Sequence, residues 1–294
     1  MKRRQFFFLS GGVAIAGLDS LAKSANSQTS PLDSDYLTEP PYFRFASIAD
    51  SGTGTRSQYD VAEAMKRYYD RNPYPLVLMA GDNIYNQGEI ERVELVFERP
   101  YKPLRDRGVR FQAVLGNHDI RTENGDPQVA YPEFNMAGRY YTFSEGNIQF
   151  FALDTNYKAD WDNQLVWLEN ELARSNATWK IVFGHHQVYG SGHYGYNEFL
   201  ASKLTPLFAR YEVPLYINGH EHHYERTHPI QGTTYLICGC AAGLRPTRRS
   251  VWTARSASRL GFAAYEVYEK KIIVEAIAPD GTVFDRGIID RKIV

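Results

Sequence analysis

The stretch VPLYINGHEHHYER (residues 213–226) places three histidines, His220, His222 and His223, directly after a short apolar run. The run contains β-branched and aromatic residues, which predict a buried strand. Because side chains alternate along an extended backbone, His220 and His222 face one side and His223 faces the other. Two imidazoles on one side of a strand end predict a transition-metal site, with His223 next to that site or on the surface.

Four other predicted strands also end in a small group of Asp, Asn or His residues beside glycine. These strands are in FRFASIAD, PLVLMAGD, FQAVLGNHD and WKIVFGHH, and the polar residues at their ends are Asp50, Asp82, Asn117, His118, Asp119, His185 and His186. In open α/β sheets, ligands bind at the carboxyl ends of the strands, where loops converge. We therefore expect the five clusters to meet in one place, where the glycines let the backbone turn sharply.

Helical and strand patterns alternate along the chain. Apolar spacing predicts helices over residues 59–69, 162–173 and 197–210, whereas YYTFSEGNIQFFALDT (140–155) predicts a hairpin that turns at Glu145-Gly146-Asn147. From Gly232 onward the pattern is that of strands. The sequence therefore predicts an α/β protein with a largely parallel or mixed sheet, in a single domain over residues 42–294.

The first 30 residues differ from the rest of the chain. They contain a basic start, an apolar stretch and then small residues, an order typical of a secretory signal and too short to cross a bilayer. Arg3 and Arg4 resemble a twin-arginine export signal, which predicts the twin-arginine export machinery as a partner of the precursor and a periplasmic or secreted location. The alternative is an uncleaved helix in the membrane interface. A polar linker over residues 31–41 follows, and we expect no stable membrane span in the mature chain.

Composition excludes several classes of partner and site. The net charge of −1 and the pI of about 6.7 give no overall field that would attract nucleic acid or a membrane surface. Cys238 and Cys240 lie one residue apart in a predicted strand and face opposite sides of it. We interpret them as two buried small residues rather than as a disulfide or a thiolate metal site.

The polar clusters together supply more metal donors than one ion needs. The candidate ligands are Asp50, Asp82, Tyr85, Asn117, His185, His220 and His222. Seven donors exceed the needs of one four-coordinate zinc ion and suit two ions that share one carboxylate. Oxygen and imidazole donors without thiolate favour iron, manganese or zinc.

The motifs D-x-G, G-D-x-x-Y, G-N-H-D, V-x-x-H and G-H-x-H resemble those of the metallophosphoesterase superfamily and, within it, the purple acid phosphatases. They occupy residues 50–52, 81–85, 116–119, 182–185 and 219–222, in the order of the family. The chain length is similar to that of the small, mammalian-type (tartrate-resistant-like) members. The resemblance implies a β-sandwich of two mixed sheets flanked by helices, with the active site at the carboxyl ends of the strands.

The resemblance also implies which residues hold each ion. The first metal would be bound by Asp50, Asp82, Tyr85 and His222. The second would be bound by Asp82, Asn117, His185 and His220. His185 is preferred to His186 because it fits V-x-x-H and because strand alternation turns His186 away.

Two positions imply the identity of the first metal. Most superfamily members have a histidine ligand where this chain has Gly52. This chain instead has Tyr85, three residues after the expected bridging residue Asp82. A phenol has an ordinary pKa near 10, so binding it as phenolate favours a strongly Lewis-acidic ion. We therefore expect Fe(III) in the first site and Fe(II), Zn or Mn in the second. The alternative is that Tyr85 only packs under the loop beside a divalent ion.

These features imply an exported acid phosphatase that hydrolyses small phosphate monoesters, with metal-bound hydroxide as the nucleophile. His118 resembles the family's substrate-binding histidine, and Asp119 is expected to orient it. His193 lies where small members carry another active-site histidine, and the alternative is an ordinary loop residue. The arginine-rich segment 245–259 either extends the site toward larger anions or is a solvated loop.

Two rival functions stay open. A zinc- or manganese-dependent phosphodiesterase or nucleotidase would use the same scaffold, and relative rates on a monoester and a diester would separate it from a phosphomonoesterase. A non-catalytic metal- or phosphate-binding protein would lack a ligand or His118, and this sequence lacks neither.

Overall fold

The computed structural model describes residues 39–291, so the predicted export signal lies outside the described residues. The strands are β1 (Phe43–Ile48), β2 (Leu76–Met79), β3 (Arg110–Ala113), β4 (Tyr141–Glu145), β5 (Ile148–Ala152), β6 (Trp179–Phe183), β7 (Leu215–Asn218), β8 (Tyr224–Thr227), β9 (Thr234–Cys238), β10 (Thr253–Ala257), β11 (Phe262–Val267), β12 (Lys271–Ile277) and β13 (Val283–Asp290). The α-helices are α1 (Arg56–Tyr69), α2 (Arg99–Arg105), α3 (Asp126–Val129), α4 (Trp161–Arg174) and α5 (Glu198–Arg210).

The three helices expected from apolar spacing are present as α1, α4 and α5. Helix α1 buries Val61, Met65 and Tyr68, which the spacing assigns to one face. Helices α4 and α5 begin at polar caps: the side chain of Asp160 accepts a hydrogen bond from the backbone of Asn163, and that of Asn197 accepts one from the backbone of Leu200. Apolar spacing therefore predicted the three helices, although α1 begins at Arg56 rather than at residue 59.

The strands form two mixed sheets. Sheet A has the order β13-β12-β11-β1-β2-β3, and sheet B has the order β10-β8-β9-β7-β6-β5-β4. Strands β1, β2 and β3 run parallel to one another, as do β5, β6, β7 and β9, whereas the remaining pairings are antiparallel. The expected hairpin is formed by β4 and β5, in which Glu145 pairs with Ile148 across the turn.

The two sheets pack face to face on an aromatic core. Phe45 of β1 stacks on Tyr265 of β11 with ring centroids 4.2 Å apart, and it meets Phe150 of β5 edge-on at 5.4 Å. The neighbouring positions in sheet B point the other way, so Phe151 and Val182 pack instead with α4 and α5 in a second apolar cluster. The fold is therefore the predicted sandwich of two mixed sheets with flanking helices.

Several elements differ from the sequence-based expectation. Strands β8 and β10 and helices α2 and α3 were not predicted. Strand β10 takes five residues of the arginine-rich segment 245–259 and pairs them antiparallel with β8, so this segment is only partly a loop. Cys238 and Cys240 are both buried and free, as expected.

Two other expectations concern the chain as a whole. None of the helices in the described range is long and apolar enough to cross a membrane. The proposed boundaries at residues 30 and 41 stay predictions, since residues 1–38 are not described.

Candidate metal centre

The five polar clusters follow strands that lie side by side in each sheet. Three clusters follow the parallel strands β1, β2 and β3 of sheet A, and two follow the parallel strands β6 and β7 of sheet B. A contact joins the two sheets here, because the backbone N–H of His220 donates a hydrogen bond to Oδ2 of Asp50 at 2.9 Å. The carboxyl ends of both parallel groups therefore converge at one place, as the sequence predicts.

Three of the candidate ligands have a backbone that L-amino acids rarely adopt. The φ angles of Asp50, Asp82 and His220 are 54°, 53° and 67°. Such left-handed residues cost free energy, on the order of 1–3 kcal/mol each, and they cluster at functional sites where the surrounding structure holds them. The backbone turns at these positions aim the two carboxylates and the imidazole into the shared space between the sheets.

Tyr85, Asp50 and His222 bring three donor atoms together. The hydroxyl of Tyr85 lies 3.0 Å from Oδ1 of Asp50 and 3.1 Å from Nε2 of His222, and those two atoms are 3.3 Å apart. Ligands about 2.1 Å from an octahedral ion stand about 3 Å from each other, so the three atoms have the spacing of one coordination face. Burial, followed by the charges of Asp50 and Asp82, raises the pKa of Tyr85 far above its ordinary value. Only a strongly charged cation would hold this side chain as phenolate.

Gly52 cannot be replaced by the histidine found in other superfamily members. A Cβ at Gly52 would lie 1.9 Å from the backbone oxygen of Asn83 and 2.5 Å from the nitrogen of Ile84. The loop that carries Asp82 and Tyr85 thus fills the space that a side chain at position 52 would need. The backbone arrangement that carries Tyr85 therefore leaves no room for a side chain at position 52.

His185, Asn117 and Asp82 form the second group of donors. Nδ1 of His185 lies 2.9 Å from the carbonyl oxygen of Ala80, which can only accept, so Nδ1 carries a proton. Nε2 of His185 then faces Oδ1 of Asn117 at 3.2 Å and Oδ1 of Asp82 at 3.5 Å. With a neutral ring, these are three electron-pair donors facing one another without a proton between them.

A positive charge would therefore stabilise the second group of donors, formed by His185, Asn117 and Asp82. Burial lowers the pKa of His185, but the carboxylates of Asp82 and Asp50 outweigh burial and raise it. Asp50, Asp82 and His185 each offer a ligand atom within 4.8 Å of the others. A divalent cation fits this donor set, and the bond from His185 to the carbonyl of Ala80 fixes the tautomer that leaves Nε2 available.

His220 completes the predicted second set from the sheet B side. Its ring centroid lies 5.1 Å from that of His185. The ring itself stacks on that of Tyr194, with centroids 4.2 Å apart. Burial lowers the pKa of His220 well below its ordinary value, so the imidazole is neutral and able to bind a metal. Tyr194 was not predicted from the sequence, where its only signal was its position beside His193.

His118 lies at the rim of this centre. Its backbone N–H donates to Oδ1 of Asp82 at 2.9 Å, which joins it to the expected bridging carboxylate. Its ring nitrogen Nδ1 donates to the carbonyl of Asn86 at 2.8 Å, so Nε2 accepts from Nη2 of Arg121 at 3.2 Å. Arg121 is a residue that sequence reasoning missed, and it provides a guanidinium next to the predicted substrate-binding histidine.

Asp119 has a different role from the one predicted. Its carboxylate accepts hydrogen bonds from the backbone of Gly116, Asn83 and Ile84 and from the side chains of Asn83 and Gln128. None of its hydrogen bonds within residues 39–291 reaches the ring of His118, which Asn86 and Arg121 orient instead. A buried carboxylate takes the nearest N–H donors, and here these belong to the loops that carry Asp82 and Asn117. Asp119 therefore ties those two loops together.

His193 is exposed, and its ring lies beside that of Tyr194, with ring centroids 4.7 Å apart. Its backbone N–H donates to the buried carboxylate of Glu221, which also accepts from the backbone of Tyr194 and Gly195. Glu221 lies between two predicted ligands in the sequence and holds the loop of His193 against them. A catalytic role for His193 stays a prediction, since its ring is not brought into the cluster of ligands.

The structure also places the two remaining histidines of these clusters, His186 and His223. His186 was expected to turn away, but its ring lies 4.4 Å from that of His220 and 4.9 Å from that of His185. Strand β6 ends at Phe183, so alternation no longer applies at residue 186. His223 is buried and its Nε2 donates to Glu225 at 3.1 Å, which excludes the surface alternative.

In the arginine-rich segment, Arg245 reaches the loop of the candidate ligands. Its guanidinium donates to the carbonyl of His220 at 3.1 Å and lies over the ring of Tyr194 at 5.3 Å. Arg255 lies within β10, and Arg259 pairs with the exposed Asp280. The segment therefore has one residue at the centre, and the others are not gathered around it.

Residues 43–224, more than half of the chain, match the sequence model of the calcineurin-like phosphoesterase family. The chain belongs to that family. Among curated relatives, this phosphoesterase is 29% identical to purple acid phosphatase 7 of Arabidopsis thaliana, with 66% of this chain and 69% of that protein aligned. It is 24% identical to human tartrate-resistant acid phosphatase type 5, with 82% of this chain and 89% of the relative aligned.

A solved structure supports the fold of this phosphoesterase. The structure described as GAP50, the anchor in the inner membrane complex of Plasmodium, superposes with a TM-score of 0.77 at 22% identity, over 85% of this chain and 89% of that one. At this level of identity the likeness supports the sandwich architecture alone. The function of this phosphoesterase is argued from its own residues and its curated relatives.

Proposed function

We propose that the chain is an exported acid phosphatase that hydrolyses small phosphate monoesters at a binuclear metal centre containing Fe(III) and a divalent ion. The observation that carries this proposal is the group formed by Tyr85, Asp50 and His222, with donor atoms 3.0 to 3.3 Å apart. A phenol at this position suits Fe(III) better than zinc or manganese. The names of the curated relatives, purple and tartrate-resistant acid phosphatases, support the same activity.

The donor set divides into two groups that share Asp82. The first ion would be held by Asp50, Asp82, Tyr85 and His222. The second, Fe(II), Zn or Mn, would be held by Asp82, Asn117, His185 and His220. Two adjacent cations supply Lewis acidity toward a phosphate ester and water, which is the chemistry of binuclear hydrolytic sites.

The protein's own residues position the ester. His118 lies beside the candidate ligand Asn117, where it can meet a phosphate oxygen or the oxygen of the leaving group. Its ring is held by the carbonyl of Asn86 and contacts the guanidinium of Arg121 at 3.2 Å. The exposed side chain of Arg121 adds positive charge where a dianionic phosphate would enter.

The proposal is tested on one purified sample by metal analysis, a visible absorption spectrum and hydrolysis of a phosphate monoester and a diester. We expect two metal ions per chain including iron, a broad tyrosinate-to-iron absorption band, and faster hydrolysis of the monoester at acid pH. A colourless protein with two zinc or manganese ions that prefers the diester would instead establish the phosphodiesterase alternative. A protein that holds metal but hydrolyses neither ester would overturn both.

Export through the twin-arginine machinery, to the periplasm or the medium, is part of the same proposal. It is supported by Arg3 and Arg4 before an apolar stretch of the sequence. The test is cell fractionation of the full chain and of a double Arg3→Lys, Arg4→Lys variant, which keeps the charge but not the arginine pair. We expect the full chain outside the cytoplasm and the variant retained inside. Equal export of the two would contradict the twin-arginine route.

A further inference from the structure

His186 stands at the candidate metal centre without belonging to the predicted set of ligands. A ring nitrogen of His186 lies within 4.8 Å of ring nitrogens of His185 and His220. All three side chains follow parallel strands of sheet B, and by spacing alone each of them is a candidate ligand. The hydrogen bonds of each imidazole decide which of them is a metal ligand, because only an unprotonated nitrogen binds a cation.

Thr155 determines the tautomer of His186. The hydroxyl oxygen of Thr155 accepts the backbone N–H of His185 at 3.0 Å and the backbone N–H of His186 at 2.9 Å. Both lone pairs of the hydroxyl are then used, so its remaining contact, 3.0 Å to Nδ1 of His186, must be one in which the hydroxyl donates. Nδ1 is therefore unprotonated, and in a neutral ring the proton is on Nε2.

The two adjacent histidines consequently present opposite groups. The Nδ1–H group of His185 donates to the carbonyl of Ala80, so its Nε2 offers a lone pair. His186 has the reverse arrangement, and its Nε2 offers an N–H donor. This Nε2 has no hydrogen-bond partner within residues 39–291, and it is not among the atoms closed off from solvent. A donor therefore remains available next to His220.

We propose that His186 is a phosphate-binding residue whose Nε2–H donates a hydrogen bond to an oxygen of the substrate phosphate, on the side of the centre formed by His185 and His220. The inference rests on the proposed function, because it takes a phosphate ester as the ligand. It adds a recognition group across the centre from His118, which follows strand β3 in sheet A. The oxygens of a bound phosphate would accept this N–H, whereas a cation would be repelled by it.

The test compares the metal-loaded wild type with His186→Phe, which keeps a ring against His220 but has no donor, and with His186→Gln, whose amide restores an N–H group. Calorimetry measures binding of inorganic phosphate, and elemental analysis measures metal content. We expect phosphate affinity to fall about tenfold or more in the Phe variant, as for loss of a hydrogen bond to a charged group. The Gln variant should stay within about threefold of the wild type, and both should keep their metal. His228→Phe, at an exposed histidine, serves as the matched control.

Two results would overturn the inference. Loss of metal in the Phe variant would make His186 a ligand, and unchanged phosphate affinity with unchanged metal would make its donor irrelevant. Hydrolysis of a monoester by the wild type is measured separately. If phosphate binding depends on His186 but the wild type hydrolyses no ester, the proposed function fails and the inference stands. If the metal-loaded wild type does not bind phosphate, both fail.

Discussion

The backbone N–H of Tyr85 donates a hydrogen bond to the carbonyl of Gly52 at 2.8 Å. Gly52, which has no side chain, is thus joined directly to Tyr85, which supplies the phenol. A second bond, from the N–H of Gly52 to the carbonyl of Asp82 at 3.2 Å, binds the same two loops. The close approach of the backbones requires glycine at position 52 and brings the phenol of Tyr85 toward Asp50 and His222.

Replacement of Tyr85 by Phe should keep the fold and remove any visible charge-transfer band, because the phenol oxygen is lost while the ring still packs. Replacement of Gly52 by Ala should destabilise the protein by about 3 kcal/mol, since the added Cβ meets the carbonyl of Asn83. Absorption spectra and urea unfolding measure the two effects. A double Gly52→His, Tyr85→Phe variant that recovers full metal content would contradict this account.

Replacement of Asp82 by Ala should remove both metals and all activity. Its carboxylate lies between the two donor groups, 3.5 Å from Nε2 of His185 and bonded to the backbone of His118. Metal analysis and a hydrolysis assay provide the readouts, and Asp126→Ala at an exposed position is the control. Retention of one full equivalent of metal would show that Asp82 is not shared by the two sites.

Replacement of His118 by Ala should leave metal content unchanged and reduce turnover about a hundredfold or more, as for loss of a positioned acid–base group. Arg121→Gln should chiefly weaken substrate binding, because the guanidinium lies beside the ring of His118. The assay separates kcat from KM, and elemental analysis is done on each variant. Loss of metal in the His118 variant would overturn its assignment as a substrate-binding residue.

Glu225 should make stability depend on pH in the acid range. Burial raises its pKa, but hydrogen bonds from His223, Thr253 and Ser191 outweigh burial and lower it below the ordinary 4.5. A lowered folded pKa means that the stabilisation is fully present above about pH 4.5 and is lost as pH falls through the folded value. Urea unfolding should therefore show a cost of about 2 kcal/mol for Glu225→Gln at pH 7.

The same difference between wild type and Glu225→Gln should be smaller at a pH well below 4.5 than at pH 7, because the stabilisation is lost as pH falls through the lowered pKa of the folded state. Glu123→Gln, at an exposed position, should change stability little at either pH. A difference for Glu225 that is constant with pH would mean that ionisation of this carboxyl group does not stabilise the fold.

Asp285 ties the two sheets together and should matter for stability. It receives two bonds from Arg226, at 2.8 and 3.0 Å, and one from the hydroxyl of Tyr224 at 2.8 Å, joining β13 of sheet A to β8 of sheet B. Asp285→Ala should cost about 3 kcal/mol because it leaves a largely buried guanidinium unpaired. The exposed pair of Arg259 and Asp280 is the control, and Asp280→Ala should cost much less than Asp285→Ala, because solvent screens this pair. Equal effects in thermal or urea unfolding would contradict the prediction.

Much of the fold could be predicted from local patterns. Helix α5 was expected to within one residue from its apolar spacing, and the structure shows Asn197 as the polar cap at its start. Strand β10 was missed because Thr253–Ala257 is arginine-containing and mostly not buried, so it shows no apolar signal. It is a strand because β8 offers a free edge, and such pairing depends on residues far apart in the sequence.

In the candidate metal centre, too, predictions from the sequence failed where contacts between distant parts of the chain decide the structure. His222 and His223 do meet different partners, as alternation predicts, although both lie beyond the end of β7 at Asn218, where the backbone is no longer a regular strand. The same rule failed for His186, which lies beyond the end of β6 where the hydroxyl of Thr155 sets the backbone turn. Asp119 was assigned to its sequence neighbour His118, yet its closest donors come from loops 30 residues or more away and from its own turn.

The sequence by itself determined which donor side chains follow the strand ends, namely carboxylates, a phenol, an amide and imidazoles. It also determined their order, their grouping at strand ends and the two-layer fold that brings those ends together. The tertiary structure alone decided which nitrogen of each histidine carries a proton, because that depends on acceptors such as the carbonyl of Ala80 and the hydroxyl of Thr155. Spacing along a chain shows which residues can meet, but hydrogen bonds between distant loops fix what each one presents.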